Sequence, residues 1–204
     1  MHLAIVLALI LVASTAPAGA AARPSTARAI TADRQAEPPQ AGPRIVRIPG
    51  HVLDLSSYTP LPDNPAASEQ PLSITVTLNR TDQAGFEAYL AGLADPASPY
   101  YQHVLSQQEI ADRFGPSQDA YDAVIGYVES YGFQLQNGAT NRLTATFSGT
   151  RGEAERAFHV TIRDYQAGDR TFYANDDDPG VPASIAPYIM AIEGLSNLAI
   201  PRPG

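Results

Sequence analysis

The sequence predicts an α+β domain, and three observations carry the prediction. First, Leu72–Asn79 alternates apolar and polar residues, the period of a half-buried strand. Second, two later stretches place apolar residues at i, i+3, i+4 and i+7, one helical face each: Phe86, Tyr89, Leu90, Leu93, and Tyr121, Val124, Ile125, Val128. Third, two more alternating runs flank Asn137-Gly138-Ala139-Thr140-Asn141, a connector with hairpin chemistry.

Taken in order, Leu72–Asn79 is the first strand of the domain. Thr81 is suited to cap the following helix, with Asp82 in its first turn near the positive end of the helix dipole. Asp95-Pro96 ends that helix. Ser106 and Glu109 have the spacing of a capping box and open a short helix through Phe114, broken by Gly115-Pro116. Ser117–Tyr131 is the next helix, and Gly132 sits where a C-terminal cap residue belongs. Phe133 and Leu135 form one strand, Leu143, Ala145 and Phe147 another. Thr150-Arg151-Gly152-Glu153 is a second capping box, opening a helix that turns Ala154, Ala157 and Phe158 inward. Val160 and Ile162 begin a last strand, which Gln166–Arg170 turns back into Thr171–Ala174. Pro-rich coil with one apolar segment, Ile185–Leu195, completes the chain. This order corresponds to a ferredoxin-like βαββαβ antiparallel sheet with helices on one face, an extra helical insertion and a C-terminal hairpin extension. The fold alone selects no function.

Composition narrows the chemistry. The 204 residues include no Cys and no Lys, so thiol nucleophiles, Cys-ligated metals and Lys-based catalysis are excluded. Charge is uneven: residues 71–198 hold 7 Arg against 16 acidic residues, a net of −9, whereas residues 23–70 balance at five of each. A domain this acidic does not suit nucleic acid and suits a basic or acid-titrating protein partner. Leu3–Val12 is a short apolar run followed by Ala18-Gly19-Ala20 and Ala20-Ala21-Ala22. We read residues 1–22 as a signal peptide, cleaved after Ala20 or Ala22, and expect a secreted protein (extracellular or periplasmic) with no membrane attachment afterwards. Residues 23–70, rich in Pro, Ala, Gln and Ser, read as a mostly disordered leader, within which Ile45–Ile48 and His51–Leu53 are strand-like.

The stretch Ser98-Pro99-Tyr100-Tyr101, followed by Leu105-Ser106, Glu109 and Arg113-Phe114-Gly115-Pro116-Ser117, resembles the signature of the pro-kumamolisin activation domain. That domain is the propeptide of the sedolisin, or serine-carboxyl, peptidases. Asn141-Arg142, Phe147-Ser148-Gly149-Thr150, Glu155-Arg156-Ala157-Phe158, Tyr173-Ala174-Asn175, Val181-Pro182 and Gly194-Leu195 fit the same pattern collinearly, so the resemblance covers roughly residues 45–198. It implies a domain that binds, inhibits and assists folding of a sedolisin-type catalytic domain, in cis or in trans. The family's Ser, Glu and Asp catalytic residues and its calcium belong to that separate domain, so neither cofactor nor metal is expected here. The activation-domain pattern occupies residues 71–198, with 199–204 as a linker remnant, and no catalytic domain is expected after Gly204. The excess carboxylates suggest release at acid pH. Two alternatives stand beside this reading: a truncated fragment of a secreted sedolisin peptidase precursor, and a repurposed secreted binding module.

Candidate sites divide accordingly. Ser148-Gly149-Thr150 resembles a nucleophile context, but a strand end running into a helix cap explains it fully. His103 lacks a neighbouring ligand set or nucleophile, and His51 and His159 are no better placed. Asp176-Asp177-Asp178 lacks the alternating ligand spacing of a calcium loop and reads as a solvated acidic turn; Glu153 and Glu155 read as helix-start charges. Asn79-Arg80-Thr81 is a glycosylation sequon that the Thr81 cap accounts for. No catalytic residue is assigned. Tyr100, Tyr101 and His103 are the candidate partner contacts, because Tyr buries interface area at low entropy cost, and Phe114 reads as core.

Overall fold

The computed structural model describes residues 42–198. Its central strand is β3 (Pro71–Leu78), in which Leu72, Ile74, Val76 and Leu78 are buried and Ser73, Thr75 and Thr77 face outward. β4 (Gln134–Gly138) and β5 (Thr144–Thr150) form the hairpin, and β5 pairs antiparallel with β3 from Pro71↔Thr150 to Thr77↔Thr144. β9 (Ile189–Glu193) lies on the other side of β3, with Val76 opposite Ile192. The spatial order β4-β5-β3-β9, all antiparallel, is the ferredoxin-like arrangement.

Helices α3 (Gln118–Glu129) and α4 (Arg151–Phe158) supply the inner layer. Val124, Val128, Ala154, Ala157 and Phe158 are fully buried with Ile74, Val76, Ala145 and Phe147. Both predicted capping boxes form: Ser106 opens α2 (Gln107–Phe114) with Glu109, and Thr150 opens α4 with Glu153. Gly132, at φ +108°, turns the chain out of α3 as its position predicts.

Five details differ from the sequence-based expectation. The strand that completes the sheet is β9, inside the segment expected to be coil, and not the strand beginning near Ile162. β6 (Ile162–Ala167) and β7 (Arg170–Asn175) form the expected hairpin, but they pair with β2 (Thr59–Pro60) in a separate three-stranded sheet. Residues 42–70, expected to be mostly disordered apart from strand-like segments at Ile45–Ile48 and His51–Leu53, carry regular structure beyond the first of these. β1 (Ile45–Arg47) pairs with β8 (Gly180–Pro182), Ile48 is buried, and Pro65–Glu69 forms a 3-10 turn capped by Asn64. Finally, Asp82 rather than Thr81 caps α1 (Gln83–Ala94), accepting from the Gly85 N–H, while the Thr81 hydroxyl donates to the Gly115 carbonyl. Leu90 of α1 is exposed, off the buried face that holds Tyr89. The signal-peptide reading of residues 1–22, the leader segment 23–41 and the linker 199–204 lie outside the described residues.

Candidate functional site

The insertion between β3 and α3 has its own apolar centre, made by Tyr89 of α1, Leu105 and Phe114, with Phe86, Leu93 and Ile110 against it. Tyr89 stacks on Phe114 at 5.7 Å between centroids and meets Tyr100 edge-on at 5.5 Å. Its hydroxyl accepts the Leu105 N–H at 2.9 Å and donates to the His103 carbonyl at 3.3 Å. The chain from Asp95 to Ser106 is therefore pinned from beneath by one phenol. Gln102, in the left-handed region at φ 55°, donates its N–H to the Leu93 carbonyl and reverses the chain. The result presents Tyr100, Tyr101 and His103 outward. Tyr101 is 43% and Val104 77% exposed. The structure thus brings the three candidate contact residues to one loop, and it places Phe114 in the core, as its sequence context predicts.

Electrostatics on this insertion favour ionised carboxylates. Hydrogen bonds from the Ser106 N–H and hydroxyl hold Glu109 below its ordinary range, with smaller help from Arg113 and His103. Gln108 and then Arg142 do the same for Asp112. Arg142, itself at φ 57° in the hairpin, reaches back to the Pro116 carbonyl at 2.9 Å and to Asp112 at 3.0 Å.

The second candidate surface is the outer face of the four-stranded sheet. Ser73, Thr75 and Thr77 of β3, Thr144, Thr146 and Ser148 of β5, and Glu193 of β9 share it by register. The Thr75 and Thr146 hydroxyls meet at 3.0 Å. The three apolar clusters of the described residues draw on other surfaces. This gives the outer face a row of Ser and Thr hydroxyls, with Glu193 at its edge.

The remaining candidates have structural roles. Ser148 accepts from Gln136 on the outer face, and Thr150 caps α4. His159 is the left-handed C-cap residue of α4, at φ 51°. The Asn79 amide donates to the Pro187 and Ile189 carbonyls, so the sequon asparagine is already engaged in holding β9. The three aspartates are not merely a solvated turn. Asp176 accepts the Thr161 N–H, Asp177 pairs with Arg47 at 2.8 Å, and Asp178 accepts the His51 N–H at 2.8 Å. Among the described residues, no group of three His, Cys, Asp or Glu is placed to hold a metal ion, and no helix is long and apolar enough to cross a membrane.

Two residues gained importance only from the fold. Arg151, inside the second capping box, is 4% exposed and forks onto both Asp164 carboxylate oxygens at 3.0 Å and the Ile162 carbonyl. His51 joins three segments distant in sequence. Arginine in a first helical turn is unfavourable for the dipole, which is the one local signal that Arg151 has another role.

Comparison with known proteins agrees with this architecture. Residues 62–198 match the pro-kumamolisin activation domain. The chain is 33% identical to xanthomonalisin of Xanthomonas sp. (strain T-22) over 133 residues, 65% of this chain and 16% of that protein. It is 31% identical to kumamolisin of Bacillus sp. (strain MN-32) over 139 residues, 68% of this chain and 25% of that protein. With sedolisin of Pseudomonas sp. (strain 101) the identity is 23% over 137 residues, covering 67% and 23% respectively. The chain therefore spans a quarter or less of the length of these relatives. On the strength of the match over residues 62–198, the chain belongs to the pro-kumamolisin activation domain family, the propeptide domain of sedolisin-family peptidases.

Proposed function

We propose that this chain binds a sedolisin-type catalytic domain, inhibits it and assists its folding, and lets go at acid pH. The observation that carries this reading is the activation-domain match over residues 62–198, in a fold whose four-stranded sheet turns Ser73, Thr75 and Thr77 away from the buried core. Such a Ser/Thr face can dock on a structured partner without desolvating charge, except at Glu193. The insertion loop with Tyr100, Tyr101 and His103 provides aromatic contacts at the side. The domain is acidic, so ion pairs to a basic partner form while carboxylates are ionised and are lost as pH falls through their bound-state values. Single exposed pairs contribute little, and the effect requires several acting together. We read the protein as exported, on the apolar run Leu3–Val12. We assign it no catalytic residue, cofactor or metal of its own.

The test is titration of the chain into an acid-active sedolisin-type peptidase, with residual activity read near neutral and at acid pH. Tight inhibition that weakens on acidification supports the proposal; no inhibition at either pH removes it. The small share of each relative that the chain spans favours a second reading, in which the same domain works in cis within a longer peptidase precursor. An in-frame Ser-Gly-Thr-Ser segment downstream of codon 204 would support it.

A further inference from the structure

His51 stands at the meeting point of the amino-terminal strap, the aspartate turn and the edge of the main sheet. Its N–H donates to Asp178 Oδ1 at 2.8 Å, and its carbonyl accepts from Asn175 Nδ2 at 3.0 Å. The ring is committed on both sides. Nδ1 lies 2.9 Å from the Ile48 carbonyl, and Nε2 lies 2.9 Å from the backbone nitrogen of Ile192. A carbonyl only accepts and a backbone N–H only donates. These two neighbours therefore fix one ring state: proton on Nδ1, lone pair on Nε2. The cationic ring carries hydrogen on both nitrogens and has nothing to offer the Ile192 N–H.

Ile192 lies in β9, at the edge of the four-stranded sheet, and is 2% exposed. Its N–H points away from β3 toward His51. The imidazole thus closes an edge group that would otherwise be an unpaired strand donor. A proton on Nε2 leaves that N–H facing another N–H and breaks the bond from both sides.

Charged groups stand near this segment. Asp178 holds the His51 backbone, Asp177 is paired with Arg47, and Glu193 lines, with His51, a cavity of about 310 Å³. Arg47 also donates to the Asp178 and His159 carbonyls. The buried Asn175 borders this cavity, and its Oδ1 has no hydrogen-bond partner. The Ile192 amide excludes a doubly protonated imidazole from the present seat, so such a ring must leave it.

We propose that His51 is a proton-operated latch. The neutral ring ties His51 to the edge of the main sheet through the Ile192 N–H, and a second ring proton breaks that tie. Imidazole is the side chain whose charge changes between about pH 5 and 8, which sets the range for the test. Opening takes up one proton, which makes the closed state weaker as pH falls, by at most about tenfold per pH unit. Release also bares the Ile192 N–H at the sheet edge. The inference concerns this chain alone and holds whether or not the peptidase reading does.

Hydrogen exchange of the Ile192 amide tests it on the full chain. The expected result is that protection, corrected for intrinsic exchange, falls roughly tenfold or more between pH 7.5 and 5.5. In H51Q, which can still accept through its amide oxygen but does not titrate, protection should stay flat across that range. Nitrogen NMR of the ring in the unmodified chain should show the Nδ1–H tautomer at pH 7.5. An Nε2–H tautomer, protection that ignores pH in the unmodified chain, or an equal pH response in H51Q would each overturn the latch. If H51Q fails to fold, the ring tautomer and the unmodified chain's exchange still decide.

Discussion

The Tyr89 hydroxyl lies between the Leu105 N–H, at 2.9 Å, and the His103 carbonyl, at 3.3 Å, and so holds the loop that carries Tyr100 and Tyr101. Y89F keeps the ring contacts with Phe114 and Tyr100 and removes only these two bonds. It leaves the N–H of buried Leu105 without its acceptor, which should cost about 1–3 kcal/mol. A urea unfolding midpoint measures this, and an unchanged midpoint would mean that water replaces the phenol. The same substitution should loosen Tyr101 without touching it.

Tyr101 itself should behave in the opposite way. It is 43% exposed, so Y101A should change stability by no more than about 0.5 kcal/mol. If the loop contacts a peptidase, the same substitution should weaken inhibition by about tenfold, near 1.4 kcal/mol. Inhibition constants for the two proteins would settle it. Equal constants would take Tyr101 out of the proposed contact.

Arg151 is the most consequential charge in the domain. Its guanidinium bonds both oxygens of Asp164 and the Ile162 carbonyl from a site 4% exposed. Breaking a buried pair by removing one partner typically costs about 3–5 kcal/mol, because the other partner stays behind. R151A should approach that value, reduced somewhat because the Asp164 side chain retains 21% exposure. Differential calorimetry would show it as a lowered melting temperature. R151M, which keeps the stem's packing, should be milder only if packing rather than charge dominates.

Acid should loosen α2 through its own cap. Glu109 is held below its ordinary value of 4.5 by bonds from Ser106, so it ionises more readily folded than unfolded. A carboxyl lowered in this way stabilises the fold above its unfolded value and loses that contribution as pH falls through the folded one. The stability gap between the unmodified chain and E109Q should therefore be present at pH 7 and close as pH falls below the ordinary carboxylate range. Unfolding midpoints across that range check the sign. A gap that widens on acidification would refute it.

Much of the fold is legible locally. The alternation of Leu72–Asn79 names its buried face, and the spacing of Ser106 with Glu109 and of Thr150 with Glu153 places two helix starts to the residue. These signals work because burial on one face and capping bonds act over fewer than five residues. The exposure of the Tyr100 and Tyr101 rings, by contrast, follows from the fold, because the sequence allows them equally to pack against the sheet.

Local sequence thus specified most of the elements, the buried face of β3 and the family to which the chain belongs. Tertiary structure decided which strand completes the sheet, what Ile45–Arg47 and Thr59–Pro60 pair with, and what Arg151, His51 and the three aspartates hold. The reason is distance along the chain. Val76 meets Ile192 in β9, Val46 meets Val181, and His51 meets Ile192. Pairings over more than a hundred residues leave no period in the sequence, because their free energy depends on partners that local periodicity does not specify.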